Sequence, residues 1–201
     1  YRYCDTAMTA PIELEFGADD EDLAEKVREE VLAIFHQVDE QMYRYRDVSE
    51  VSRLNRNAAK GPVTVSDDLF TVLDKAREVS TLSDGAFDIT FGSVGYLYDF
   101  RAGKKPTEDE LRSGLPRVNF RDVILDQDAQ TVEFRQKGIL VDLGGIAKGY
   151  AVDLGIERLV SSGIRHARLS AGGDMRLLGD KRGRPWYVGI RDPRSEGRNA
   201  V

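Results

Sequence analysis

Two adjacent glycines constrain the fold of this chain most, because they join an apolar run to the start of an amphipathic helix. The run at positions 139–143 is apolar apart from Asp142 and predicts a strand, and Gly144 and Gly145 let the backbone turn tightly. The helix that follows points its free amide groups at the turn, where they attract anions. Lys148 falls in the first turn of that helix, where a cation is disfavoured unless an anion lies nearby.

This glycine junction has two interpretations on local chemistry alone. It is either an anion site or a tight strand-to-helix connection with a solvated lysine. It is not the phosphate-binding loop of nucleoside triphosphatases, which has a Ser or Thr directly after its lysine. Here Gly149 follows Lys148. The junction taken by itself leaves both interpretations open.

Composition excludes several classes of function. The chain has 201 residues and a formal net charge of -6, and its basic residues are interleaved with acidic ones, which argues against broad binding to nucleic acid. No apolar run is long enough to span a bilayer. Cys4 is the single cysteine, so no intramolecular disulfide can form, and His36 and His166 lack the spacing of zinc ligands.

Hydrophobic periodicity predicts helices interleaved with hairpins. An alternating strand ends at Phe16, and a long helix follows with apolar residues at three- and four-residue steps up to Met42. A second helix begins at Ser66 as its N-cap and ends at Gly85. Later elements are a short helix capped by Thr107 and Glu110, a hairpin of strands 123–125 and 131–134, a helix that carries Val160 inward and ends at Gly163, and strands 167–169, 175–178 and 186–190. This mixture predicts an α+β fold of layered mixed or antiparallel sheets with packed helices, in a single domain over residues 1–201.

Three further segments contain candidate ligand contacts. Positions 85–90 place Phe87 and Asp88 after a glycine, where they could stack on a planar ligand or simply follow a helix cap. Positions 171–176 contain a glycine pair before Asp174, which either lets a ligand approach the backbone or makes a tight turn. Positions 43–55 predict a loop with an aromatic and basic edge, or a solvated helix end with aromatic packing.

Taken together and in this order, the segments resemble the ApbE family of FAD:protein FMN transferases. The resemblance spans nearly the whole chain. It is carried by Met8 before a strand, Tyr45 with the run at 49–55, the run at 85–90, the segment at 142–153, Gly172-Gly173-Asp174, and the run at 186–193.

The resemblance implies a T-fold-type domain and an enzyme that uses Mg²⁺ and FAD. Such an enzyme transfers FMN from FAD through a phosphoester bond to a threonine hydroxyl of an acceptor flavoprotein, such as a subunit of an ion-pumping redox complex, and releases AMP. The resemblance also implies a periplasmic or cell-envelope location. The chain ends at Val201, before the distal Asp-x-x-x-Thr metal motif of the family. We therefore expect a domain truncated at its C-terminus.

The resemblance also assigns roles to individual residues. The FAD-holding positions are Met8, Tyr45, Ala86, Phe87, Asp88, Asp142 and Lys148. Asp142 and Lys148 are in addition the catalytic candidates, and Gly145 would offer its backbone carbonyl to magnesium. Asn55 and Asp174 are weaker nominations that could be structural. Alternative functions are an FAD-storage protein, a Mg²⁺-dependent FAD pyrophosphatase and, for the bare 201 residues, an inactive scaffold.

Overall fold

A computed structural model describes residues 1–99, 102–181, 183–190, 192 and 194. Its strands are β1 (Arg2–Ala7), β2 (Ala10–Phe16), β3 (Val63–Thr64), β4 (Val123–Asp126), β5 (Thr131–Phe134), β6 (Ala167–Ala171) and β7 (Asp174–Leu178). Its helices are α1 (Glu21–Met42), α2 (Glu50–Asn57), α3 (Asp67–Leu82), α4 (Gly92–Gly95), α5 (Glu108–Gly114) and α6 (Ala147–Ser161). Short 3₁₀ turns occupy Ile89–Phe91, Leu115–Arg117 and Phe120–Asp122. Over the described ranges, none of the helices is long and apolar enough to cross a membrane.

Two antiparallel sheets and the packed helices confirm the α+β class. The larger sheet has the strand order β1-β2-β6-β7, and the smaller has the order β3-β5-β4. The register of β2 against β6 places Leu14 opposite Leu169, both of which are buried. Helices α1 and α6 pack against each other and α6 also packs on β6, so the core lies between these helices and the larger sheet.

Close contact between α6 and the larger sheet depends on Gly155, which has no side chain. A Cβ atom added at Gly155 would lie 2.4 Å from the Leu169 side chain and 3.4 Å from that of Val31. Glycine therefore lets α6 approach both β6 and α1. This approach sets where the first turn of α6, which carries Lys148, stands relative to the sheet.

The turn between β1 and β2 places Met8 at one end of the larger sheet. Ala7 pairs with Ala10, so Met8 and Thr9 alone make the turn, with φ angles of 55° and 58°. A two-residue hairpin turn with two positive φ angles matches the twist of the strands that it joins. The Met8 side chain is half-buried against the core.

Several predicted elements are confirmed. The helix through Met42 and the helix capped by Ser66 are present, and the hairpin of β4 and β5 pairs as expected. The capping box is complete, because the Thr107 side chain accepts from the Glu110 amide while the Glu110 carboxylate accepts from the Thr107 amide. One inward residue was predicted wrongly, since Val160 of α6 is exposed.

The predicted loop at 43–55 is wrong over its second half, because helix α2 begins at Glu50. Ser49 caps the helix by accepting a hydrogen bond from the Ser52 amide at 3.2 Å. Val51 and Leu54 are fully buried. A helix of this length shows only two apolar repeats, so its periodicity is hard to distinguish from a loop.

The prediction of a strand at 139–143 was also wrong. Its backbone groups pair with side chains and with a 3₁₀ turn instead of with a neighbouring strand. The Leu140 amide donates to Ser93 Oγ at 3.0 Å, Val141 pairs with the Asn55 side chain, and the Asp142 amide donates to the Ile89 carbonyl at 2.9 Å. The predicted strand at 186–190 is irregular as well, and Arg191 and Pro193 of the family-like run lie outside the described residues.

Candidate functional site

A cavity of about 240 Å³ opens where three separate parts of the fold meet. The β1–β2 turn contributes Met8, the segment after α1 contributes Arg44 and Tyr45, and the glycine junction with the first turn of α6 contributes Asp142 and Lys148. Four of these five residues were predicted from the sequence to hold FAD. The structure therefore brings Met8, Tyr45, Asp142 and Lys148 together at one cavity.

The Asp142 carboxylate is held at two points. Its Oδ1 atom accepts a hydrogen bond from the Gly144 amide at 2.8 Å, and its Oδ2 atom lies 3.3 Å from Nε of Arg44. The Asp142 side chain is 15% exposed and that of Arg44 is 19% exposed. Ion pairs with little exposure are screened less than surface pairs, so this contact fixes the carboxylate firmly at the cavity wall.

Lys148 already has an anion within the chain. Its Nζ atom donates to the Gly144 carbonyl at 3.1 Å and lies 3.5 Å from Oδ2 of Asp174. A cation in the first turn of a helix needs such a partner, and the first residue of β7 supplies it. The Lys148 side chain keeps 26% of its surface exposed and lines the cavity. Its ammonium group can therefore contact a further anion without leaving its position.

Arg44 and Tyr96 belong to the site although neither was predicted from the sequence. The guanidinium carbon of Arg44 lies 3.9 Å from the ring centroid of Tyr45 and 3.8 Å from that of Tyr96. The Tyr96 hydroxyl donates to the Val141 carbonyl at 2.8 Å, next to Asp142. Burial, with a smaller contribution from the nearby Asp142 carboxylate, raises the pKa of Tyr96 to about 12. The aromatic and basic residues at 43–55 were the sequence feature that could have indicated Arg44. No sequence feature indicated Tyr96.

Three predicted FAD contacts lie outside the lining of this cavity. Phe87 stands against the glycine junction, since a Cβ atom at Gly145 would lie 3.4 Å from its ring. Ala86 is exposed. The Asp88 carboxylate accepts three hydrogen bonds within the fold, from the Thr90 amide at 2.8 Å, the Thr90 hydroxyl at 2.6 Å and the Phe120 amide at 2.8 Å. Asp88 thus braces the 3₁₀ turn that holds the Asp142 amide.

The described residues contain no cluster of side chains typical of a metal site. Among them, no group of three His, Cys, Asp or Glu side chains converges as metal ligands. Gly144 and Gly145 are exposed at the turn, so the Gly145 carbonyl could contribute one oxygen. Mg²⁺ bound in a protein takes several oxygen ligands, and carboxylates are usual among them. Gly145 as a magnesium ligand stays a prediction.

Comparison with known proteins identifies the family. A profile described as the ApbE family matches residues 6–201. The chain belongs to the ApbE family. A curated relative from Haemophilus influenzae named FAD:protein FMN transferase is 33% identical over 186 residues, which cover 89% of this chain and 54% of the relative. A relative of the same name from Klebsiella pneumoniae is 30% identical over 195 residues, which cover 96% of this chain and 59% of the relative.

Solved structures show that the ApbE fold extends over nearly all of this chain. The flavin transferase ApbE from Vibrio cholerae superposes with a TM-score of 0.87 at 28% identity, covering 96% of this chain and 64% of that one. The ApbE protein from Thermotoga maritima also gives 0.87, at 27% identity, covering 97% of this chain and 64% of that one. The chain spans about half the length of the curated ApbE relatives that it matches.

Proposed function

We propose that this chain carries the FAD-binding site of an FAD:protein FMN transferase. The observation that carries the proposal is the cavity at which Met8, Tyr45, Asp142 and Lys148 meet. These residues lie far apart in the sequence, and each matches a position that the family resemblance assigns to FAD. Membership of the ApbE family and the name of its curated relatives support the same function.

The proposed reaction exchanges the phosphoanhydride bond of FAD for a phosphoester bond to the acceptor. The hydroxyl oxygen of an acceptor threonine bonds to the phosphorus on the FMN side of the FAD pyrophosphate, the bond between that phosphorus and the bridging oxygen breaks, and AMP leaves with the bridging oxygen. The hydroxyl proton is lost to a base. Phosphoryl transfer of this kind depends mainly on positioning and on stabilisation of phosphate charge.

Two residues of the chain suit these requirements. The ammonium group of Lys148 lies beside the exposed glycine junction and brings positive charge to an incoming pyrophosphate. A pyrophosphate carries more negative charge than the single carboxylate of Asp174, so it competes well for the lysine. Asp142, fixed by Arg44 and the Gly144 amide, keeps free acceptor positions for hydroxyl or amide groups of FAD.

We also propose that the transfer depends on Mg²⁺, which would neutralise pyrophosphate charge when bound. The Gly145 carbonyl is the proposed contribution of this chain to the ion. The acceptor is proposed to be a flavoprotein with a target threonine, and the location to be the periplasm or cell envelope. Both of these proposals rest on the family resemblance, and cell fractionation tests the second.

Mass spectrometry tests the proposed function directly. The protein is incubated with FAD, Mg²⁺ and an acceptor peptide that contains a threonine, and a peptide with alanine in its place serves as the control. An FMN-sized adduct on the threonine peptide alone supports transfer. Free FMN and AMP without an adduct would show hydrolysis instead, and unchanged FAD that stays bound would show storage. If FAD neither binds nor reacts, the proposed function is wrong.

A further inference from the structure

We propose that Arg44 is a positioning residue of the site, which fixes the Tyr45 ring and the Asp142 carboxylate with a single guanidinium group. The inference rests on the proposed function, because Tyr45 and Asp142 matter here as FAD contacts. Arg44 follows the end of α1, Tyr96 follows α4, and Asp142 precedes the glycine junction. One side chain therefore connects two parts of the cavity wall, at Arg44 and Asp142, with the Tyr96 ring outside the lining.

The guanidinium group of Arg44 contacts two tyrosine rings and one carboxylate. Tyr45 and Tyr96 each place a ring about 4 Å from the guanidinium carbon, and we call the space between these rings the tyrosine slot. The edge of the group faces Asp142 through Nε at 3.3 Å, and Nη2 donates to the Tyr45 hydroxyl. A guanidinium group is planar and carries donors along its edge, so it can stack and donate at once. An ammonium group has no such plane.

The segment around Arg44 needs this anchor. Tyr45 is 67% exposed and Val48 is 86% exposed, so burial of apolar surface holds this part of the chain only weakly. Besides the Arg44 side chain, the segment is tied by Ser52 Oγ, which donates to the Arg44 carbonyl at 3.0 Å, and by Arg56, which donates to the Asp47 carbonyl at 2.8 Å. Arg46 also ties it to α1, since its Nη2 atom lies 3.5 Å from Oδ2 of Asp39. These contacts hold the backbone and the Arg46 side chain, whereas the Tyr45 ring is held by Arg44 and by the Tyr43 ring, whose centroid lies 5.4 Å away.

The opposite role for Arg44 would be that of a placeholder that a flavin or adenine ring displaces from the tyrosine slot. Displacement would break two cation–π contacts and the ion pair with Asp142 at once, and each of these is favourable when partly desolvated. It would also leave the Asp142 carboxylate without its cation. Arg44 therefore stays in the slot when FAD binds, and its loss weakens binding instead of strengthening it.

Binding of FAD to a set of Arg44 variants tests this assignment. The dissociation constant is measured by flavin fluorescence for the wild type, Arg44→Ala, Arg44→Lys and Arg112→Ala, the last being a highly exposed arginine of α5 paired with Asp109. We expect Arg44→Ala to bind FAD about tenfold more weakly, which corresponds to about 1.4 kcal/mol. Arg44→Lys should recover only part of this loss, and Arg112→Ala should match the wild type.

Chemical rescue separates positioning from a general loss of structure. Guanidinium ion, added far below the concentrations that unfold proteins, should enter the empty tyrosine slot of Arg44→Ala and strengthen FAD binding again. Urea has a similar planar shape without the charge and should not rescue. Arg44 has no positioning role if Arg44→Ala binds within twofold of the wild type, binds more tightly, or shows no rescue. If the wild type itself fails to bind FAD, the proposed function is wrong and the role of Arg44 is wrong with it.

Discussion

The side-chain amide of Asn55 pairs with both backbone polar groups of Val141. Asn55 Nδ2 donates to the Val141 carbonyl at 3.0 Å, and the Val141 amide donates to Asn55 Oδ1 at 2.8 Å. An asparagine used in this way replaces one residue of a partner strand. It joins α2 to the segment that carries Asp142, so its role in the described structure is to fix the position of that segment.

Replacing this asparagine should destabilise the protein strongly. Asn55→Leu leaves the amide of the fully buried Val141 without its partner and its carbonyl with the Tyr96 hydroxyl alone. A buried polar group without a partner costs about 1–3 kcal/mol, so we expect the free energy of unfolding to fall by about 2–4 kcal/mol. Urea denaturation measures this. Asn57→Leu in the same helix removes only a solvent-exposed hydrogen bond to the Arg53 carbonyl and should change stability by less than about 1 kcal/mol. Equal losses in the two variants would contradict the assigned role.

Gly92 tests how closely α4 must approach the same segment. A Cβ atom there would lie 2.4 Å from the Leu140 carbonyl oxygen, which is backbone and cannot swing away. Gly92→Ala should therefore push the segment outward and lower the free energy of unfolding by about 1–3 kcal/mol, the usual cost of overpacking. Thermal or urea unfolding of the variant and the wild type measures this loss of stability.

The matched control for this variant is Gly149→Ala in α6. No atom lies within 4 Å of a Cβ built at Gly149, so the substitution replaces a helical glycine without a clash. It should raise stability by about 0.5–1 kcal/mol through helix propensity. A similar loss in both variants would show that the close approach of Leu140 does not control the packing.

Local patterns predicted the parts of the fold whose causes are local. The 22-residue helix α1 repeats its apolar face over six turns, and the capping box needs only Thr107 and Glu110. The segment at 139–143 was mistaken for a strand because an apolar run shows burial and does not show its hydrogen-bond partners. Those partners are side chains such as Asn55 and Ser93, which lie far away in the sequence.

In the candidate site, too, local sequence predicted some features and contacts between distant residues determined the others. Lys148 signalled an anion because its place in the helix needs one, but local sequence could not tell that Asp174 is that anion. Arg44 has no motif, since its role exists only once Tyr96 and Asp142 are brought beside it by the fold. Ordered motifs across the whole chain predicted the family, and contacts between distant segments determined the geometry.

Tyr96 should make stability depend on pH in the alkaline range. Burial raises its pKa to about 12 in the folded protein, whereas an unfolded tyrosine titrates near 10. The neutral form is therefore favoured by folding. The stability that this contributes is complete below about pH 10 and is lost as the pH rises toward about 12. Tyr96→Phe should lose less stability over this window than the wild type, as measured by urea denaturation at each pH. Parallel pH profiles of the two proteins would contradict the assignment.

Lys148 should matter for binding and little for folding. Its contacts with Gly144 and Asp174 are partly exposed, so Lys148→Met should change the free energy of unfolding by less than about 1 kcal/mol. A charge-assisted contact to pyrophosphate contributes more, about 1.5–3 kcal/mol, so FAD affinity should fall at least tenfold. Raising the salt concentration should weaken wild-type binding toward that of the variant, because ions screen the same attraction.

The matched control is Lys75→Met, which breaks a surface pair with Glu78 away from the cavity and should leave FAD binding unchanged. Loss of FAD affinity in both variants would mean that overall charge, and not the position of Lys148 at the glycine junction, controls binding.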